Sequence, residues 1–515
     1  EVEWGMATVA EFVGVVAPPG PPAMFVDPHE IANIFGLKGV RMMLDEALLQ
    51  PVHVFVQMPS CIPSAPGLET AGAEVGPREV AEARQGEGIS GLGEMMNFPG
   101  VVSSDAKMHA EMDATRMANK VIGGHYASPD LGLPFYGYAA GGPEDDHEGT
   151  RLEDAILRAR QGMKVMMRYG SAWHDVELQS KAITEEGLDP RYFLLCTDDS
   201  HSATLVEDGH MDRVIRHAID QGLPPMTAIQ MATINTAEHF GLSRKMGLLA
   251  PGRSADVLIV PDLNNFHAEK VIAQGKLVAE NGSLLLSKEK RIYPDWAKNT
   301  IRLPKPKVAA DFMLNSAIVK KGVVTANVIG VLENQAPNKH LTMTVNVVDG
   351  KVASDLEQDI AKIALVERHH NTGKVFVALI HGMKLKPDCA LGSTVAHDCH
   401  QMIIVGTSDE MMAKAANELA AMGGGQIAVK DGAVVGKVTL PVAGLMSDQP
   451  AEVVAAEAAT VLDGFKACGC DLNNANMQLS LMALVVIPEL RISDMGLLSV
   501  LDREFIPVIQ GETNA

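Results

Sequence analysis

Six residues in the first two hundred could do chemistry together: His29, Glu94, His125, His147, Arg168 and Asp198. All but His147, which follows GGPEDD, come after a short stretch rich in apolar residues. Any one of them has a plain explanation, since a lone histidine is more often a core or surface residue than a ligand. Their shared position after successive runs is what singles them out. Imidazole and carboxylate together suit zinc, iron or manganese. A bound divalent ion lowers the pKa of water toward neutrality, and a neighbouring carboxylate can take the proton. The reaction class that fits is metal-assisted hydrolysis. Asp198 and Asp199 close the run Tyr192–Cys196, reading YFLLCTDD. Two adjacent acids ending a buried strand are costly unless they meet a metal, a proton or a partner. Asp198 is read as the chemical one, and Asp199 as a helix cap or a substrate contact.

The elements that must position these residues alternate in type. Ala23–Val26 reads as a strand ending in Asp27-Pro28-His29-Glu30, followed by a helical pattern to Leu49. Val52–Gln57, Ile89–Gly93, Val121–Gly124, Met163–Met167 and Tyr192–Cys196 read as further strands, and Ser104–Asn119 as a helix capped by Ser104. The GGPEDDH run before His147 is a poor strand. This rhythm predicts an α/β fold with a parallel sheet or barrel. In such barrels the C-terminal strand ends face the active site.

A chain of 515 residues exceeds one core and implies two or three domains. Forty-three basic against 64 acidic residues give a net charge of −21. That balance, with only 4% aromatic residues, argues against nucleic acid or an anionic membrane as partner. No apolar run reaches membrane-spanning length, and the N-terminus has no signal-peptide pattern. The six cysteines show no framework spacing, so a reducing, cytoplasmic setting is expected. Cys468 and Cys470 form C-x-C and are read as ordinary thiols.

Met246–Val260 reads as two short strands around Pro251-Gly252, Val271–Glu280 as another strand, and Ser287–Pro306 as a charged linker. From Ala309 the pattern shifts. Thr342–Val348, Met402–Val405, Gln426–Val429 and Ala433–Val438 read as strands, and Asp409–Met422 as a helix running into Gly423-Gly424-Gly425. A glycine run there is a helix cap and loop rather than a phosphate cradle. His397-Asp398-Cys399-His400 has ligand-like spacing. On a strand, His397 and Cys399 would share a face.

Taken as an ordered set, several segments resemble the bacterial adenine deaminases of the amidohydrolase superfamily. They include VDPHEIANIFG (Val26–Gly36), PSCIPSAPGLE (Pro59–Glu69), GLGEMMNFPGV (Gly91–Val101), GGH (Gly123–His125), DHE (Asp146–Glu148), RYGSA (Arg168–Ala172), CTDD (Cys196–Asp199), MGLLAPGRSADVLIV (Met246–Val260), VAHDCH (Val395–His400) and LPVAGLMSD (Leu440–Asp448). The resemblance implies a distorted TIM-like (β/α)8 barrel over residues 1–243. A small β-sandwich remnant and linker would follow over 244–300, then an α+β C-terminal domain over 301–515. The reaction implied is adenine plus water giving hypoxanthine and ammonia, by attack of a hydroxide generated at the metal on C6. Glu94 would bridge two metals, His125 and His147 would be ligands, and Asp198 would ligate and shuttle the proton. Glu148 would orient a ligand or act on substrate. His29, Arg168, Ser171, Asp199 and His397 would line the substrate site, with capping of the following helix the other reading for His29. The implied cofactors are two Mn2+ or Fe2+ ions, with Zn2+ as the other option, and the expected assembly is a homodimer.

The chain departs from the family at its start. Members carry an H-x-H pair on the first barrel strand. Registering Thr8–Phe12 on the family places Glu1 where the second of those histidines stands, so the first strand is expected to be missing. Pro21-Pro22 also stands where strand formers are expected. Three classes of function remain open: an adenine deaminase, another amidohydrolase acting on a cyclic amide or aminopurine, and a metal-poor homologue that binds without catalysis.

Overall fold

A computed structural model describes residues 2–83, 86–171, 173–286 and 292–512. Glu1, Ala172 and the first part of the expected linker, 287–291, lie outside the described residues. The chain divides into two compact units. One comprises Glu1–Ile62 with Val75–Arg291, the other Pro63–Glu74 with Ile292–Ala515.

The first unit is built on seven parallel strands: β1 (Ala23–Val26), β2 (His53–Met58), β3 (Ile89–Met95), β4 (Val121–Gly124), β5 (Asp145–Asp146), β6 (Lys164–Arg168) and β7 (Phe193–Cys196). They form a four-stranded sheet, β1-β2-β3-β4, and a three-stranded one, β5-β6-β7. Glu144 joins the two. Its N–H donates to Ile122 O at 2.8 Å, and its carbonyl accepts from Lys164 N at 2.8 Å. Alternation along the strands sorts the side chains. Val165, Met167, Phe193 and Leu195 pack outward on Ala155, Val214, Ile215, Ala218 and Ala228 of the surrounding helices. Arg168 and Cys196 therefore take the opposite face, toward the barrel interior. This is a distorted (β/α) barrel. Among the described residues no strand pairs β1 with β7. Phe25 of β1 stacks on Phe240 at 3.9 Å, and Phe12 meets His210 edge-on at 5.8 Å. The opening residues form a short turn, Glu3–Gly5, and a helix, Val9–Val16. Trp4 Nε1 donates to Glu30 at 3.2 Å, and Glu3 accepts from Ile31 N at 3.2 Å.

Three local expectations are corrected. The helix expected from Ser104 runs Ala106–Met117, and its cap is Asp105, which accepts from Lys107 and Met108 N–H. Ser104 has φ +63°, outside the extended region a capping residue adopts. Val271–Glu280 is a hairpin, β9 (Lys270–Ala273) and β10 (Lys276–Glu280), because Gln274 and Gly275 both take positive φ, as a tight primed turn requires. Of the two strands expected in Met246–Val260 only β8 (Val257–Ile259) forms. With β11 (Ser283–Leu284) these make a four-stranded antiparallel sheet. Pro22, with no N–H to give, still accepts from His53 N at 3.0 Å, so the prolines do not disrupt β1.

The second unit is α+β. Ten strands pair in the order β12-β15-β14-β13-β17-β16-β19-β18-β20-β21. In chain order they are β12 (Leu314–Asn315), β13 (Gly322–Gly330), β14 (Lys339–Val348), β15 (Lys351–Val352), β16 (Ile360–Val366), β17 (Val375–His381), β18 (Cys389–Ser393), β19 (Met402–Gly406), β20 (Gly425–Lys430) and β21 (Ala433–Thr439). Helix Asp409–Ala421 lays Met412, Ala416 and Leu419 on Ile404, Ile427 and Val429 of this sheet. The glycines after it close the helix, with Gly424 N donating to Leu419 O at 2.9 Å. Segment Pro63–Glu74 is tied into this unit. Thr70 N donates to Asp494 at 3.0 Å, Gln401 Nε2 to Thr70 O at 2.8 Å, and Ala65 packs on Val485 and Leu498.

Candidate metal centre and active site

The strand ends of the first unit bring six residues into one connected cluster. Glu94 sits within β3, and His125 and His147 immediately follow β4 and β5. Glu94 Oε2 lies 2.8 Å from His125 Nδ1 and 3.5 Å from His147 Nε2. The two imidazoles stand edge to face, 5.1 Å between centroids. Glu148 Oε1 lies 3.8 Å from Nε2 of each. Arg168 Nη1 donates to Glu148 at 2.6 Å and to Asp198 Oδ2 at 3.0 Å, while its Nε donates to Asp175 at 2.7 Å. Asp198 holds φ +56°, a left-handed conformation that aspartate tolerates better than most residues and that clusters at functional sites.

Within the first unit, three overlapping trios offer donor atoms within 4.8 Å of one another: Glu94-His125-His147, Asp27-His29-Glu94 and His147-Glu148-Asp198. Glu94 belongs to two of them, as does His147. His125 Nε2 is buried and makes no hydrogen bond, as a ligand atom would. The electrostatics favour a cation. Burial works against a charged His147, yet Glu94, Asp198 and Glu148 together outweigh it and push the imidazole up to about 10. Burial would raise Glu148, but Arg168 and then the two histidines bring it down to about 2. A field that holds protons on buried imidazoles would equally hold a metal ion, and the nitrogen and oxygen donors suit zinc, iron or manganese.

The other sequence-predicted residues fall as follows. Pro28, not His29, occupies the cap of helix His29–Phe35, and no side chain caps it, so the capping reading of His29 is overturned. His29 is the first helical residue, buried, with Nδ1 3.7 Å from Asp27. Ser171 Oγ accepts from His201 N and donates to Thr204 Oγ1, both at 2.8 Å, which ties down the loop after β7. Asp199 is buried beside it, its carbonyl accepting from Ser171 N at 3.0 Å. Cys61 is sealed among Met95 and Met108, its thiol pushed up to about 12 by burial, and Ser60 Oγ donates to Glu94 O at 2.6 Å. His397 belongs to the second unit. The segment His397–His400 is a turn and not a strand, closed by His400 N donating to Ala396 O at 2.7 Å. His397 and Cys399 therefore do not pair across a strand face. His397 meets Ser480 Oγ at 3.2 Å.

Sequence reasoning missed Asp27 and Asp175. Asp27 Oδ2 accepts from Glu94 N at 2.9 Å, and a Cβ at Gly93 would stand 1.9 Å from that oxygen, so only glycine lets the carboxylate reach the strand. The signal for Asp27 was its place in DPHE, two residues ahead of the histidine. Nothing in the sequence marks Asp175.

The amidohydrolase family model matches residues 4–278, and an adenine deaminase C-terminal domain model matches 335–504. The chain belongs to the amidohydrolase family. It is 57% identical over 514 residues to adenine deaminase of Roseobacter denitrificans, covering 99% of this chain and 85% of that one. Against the adenine deaminase of Moorella thermoacetica it is 46% identical over 510 residues, with 99% and 85% covered. Within the family, then, the chain belongs with the adenine deaminases. Among solved structures, β-aspartyl dipeptidase of Fervidobacterium islandicum AW-1 aligns with a TM-score of 0.37 and 14% identity, covering 49% of this chain and 72% of that one.

Proposed function

We propose that this chain hydrolyses adenine to hypoxanthine and ammonia. The observation that carries the reading is the single cluster of Glu94, His125, His147, Glu148 and Asp198 at the strand ends of a chain 57% identical to an adenine deaminase. Glu94, His125, His147 and Asp198 would hold the metal, two Mn2+ or Fe2+ ions or, as the other option, Zn2+. Once bound, the metal would supply an acidified water as the nucleophile for C6. Asp198 takes the water proton and returns it to the departing amine. Its Oδ2 is occupied by Arg168, which leaves Oδ1 for the transfer. Glu148, held as an anion by Arg168, acts as an acceptor that orients ligand or substrate, not as an acid. His29, Ser171 and Asp199 are proposed to line or support the substrate site.

The same reading divides the chain at 1–243, 244–300 and 301–515. It makes the protein a cytoplasmic homodimer with a small-molecule substrate and neither nucleic acid nor membrane as partner. No described helix is long and apolar enough to cross a membrane.

The test is ultraviolet detection of adenine loss with ammonia release, using the chain loaded with manganese or ferrous iron, alone and preceded by an H-x-H-bearing segment. Turnover in either form, lost by about 100-fold or more in Asp198→Asn, is expected. Absence of turnover in both forms, or an Asp198→Asn variant as active as the parent, overturns the assignment.

A further inference from the structure

His125 and His147 each stand one residue beyond the end of a strand, where ladder hydrogen bonds have stopped. Strand β5 is only Asp145–Asp146. The geometry points to these two aspartates, with His239 and Arg158 behind them, as the positioning residues that set the spacing of the His125–His147 pair.

The carboxylates bind the main chain on either side of the histidines. Asp145 Oδ1 accepts from Gly124 N at 2.9 Å, just before His125. Asp146 Oδ2 accepts from Tyr126 N at 2.6 Å, just after it, and Asp146 Oδ1 accepts from Glu148 N at 2.9 Å, just after His147. The remaining amide, that of His125 itself, donates to Tyr138 OH at 2.7 Å, and this hydroxyl donates to Met95 O at 2.9 Å. The segments approach so closely that a Cβ on Gly124 would stand 2.0 Å from Asp145 O. β5 thus substitutes side-chain staples for the ladder that two residues cannot supply.

Both aspartates are buried, and buried carboxylates need partners. Arg158 Nε donates to Asp146 Oδ1 at 2.9 Å, and Arg158 Nη2 reaches Tyr126 O at 3.1 Å. His239, from helix Ile234–His239 and 94 residues along the chain, places Nε2 2.6 Å from Asp145 Oδ2. Arg158 and His239 act through the aspartates. Groups that orient metal-binding histidines typically contribute about 10- to 100-fold to metal affinity. The inference rests on the metal-dependent reading above.

The test measures Mn2+ affinity by chelator competition on the full chain, alongside thermal melting and kcat. His239→Ala and Arg158→Met are expected to bind Mn2+ at least about 10-fold more weakly while remaining folded. His239→Gln, whose amide nitrogen reaches the place of Nε2, is expected to recover most of that loss. Should His239→Ala fail to fold, His239→Asn, too short to reach Asp145, carries the same comparison. Variants that melt lower yet bind Mn2+ as tightly as the parent would reduce these residues to packing and overturn the proposal. A parent chain that binds neither Mn2+ nor Fe2+ would instead overturn the metal reading beneath it.

Discussion

Arg168 is bonded to three carboxylates at once, Glu148, Asp175 and Asp198, while itself only 3% exposed. Burial lifts the Asp175 carboxyl above its usual range even with the guanidinium beside it. The three acids are therefore held together by one cation. Arg168→Met should lower turnover by at least about 100-fold and destabilise the fold by roughly 3–5 kcal/mol, because breaking a buried pair leaves charge uncompensated. Arg168→Lys should fall between, since a point charge cannot fork to three partners. Steady-state kinetics with a melting curve checks both. A Met variant of parental activity would remove Arg168 from the site. Arg168 was legible in the sequence because it closes an apolar run. Asp175 was not, because its role exists only after the chain has turned back on itself.

At the scale of elements, legibility follows burial. β1, β2, β3, β4, β6 and β7 are apolar runs of four to seven residues with a polar residue at or near the end, and each was placed within two residues of its ends. β5 is two aspartates, so no hydrophobic pattern could announce it; contacts from residues far along the chain define it. The turn at His397–His400 was left open for the converse reason, that spacing alone cannot tell a strand from a turn. Two substitutions separate the site's support from ordinary helix stability. Gly93→Ala would drive a Cβ into the Asp27 carboxylate that holds Glu94 N, and turnover should fall by at least about 10-fold. Asp105→Ala removes the cap of helix Ala106–Met117 and should cost about 1 kcal/mol with turnover unchanged. Equal activity in the two variants would dissociate Gly93 from the chemistry.

At the scale of the whole molecule, each unit carries a buried carboxyl that burial pushes up to about 8: Glu111 in the first and Glu69 in the second. Glu111 has no hydrogen-bond partner at either oxygen, and Glu69 has one oxygen bonded to Ser64 and Ala65. Each folded unit keeps a proton that the unfolded chain loses near 4.5, so the stability contributed is full below pH 4.5 and is lost as pH rises through about 8. Glu69→Gln and Glu111→Gln should each flatten the decline in stability between those values, by an amount on the order of 5 kcal/mol at the alkaline end. Calorimetry from pH 5 to 9 checks this; slopes unchanged from the parent would refute it. The segment Pro63–Glu74 carries a different consequence, one of timing. Thr70 waits for Asp494, 424 residues later. At about 5–20 residues per second of synthesis, that segment is made roughly 20–85 s before its partners exist. The second unit therefore cannot close until 424 further residues have followed Thr70.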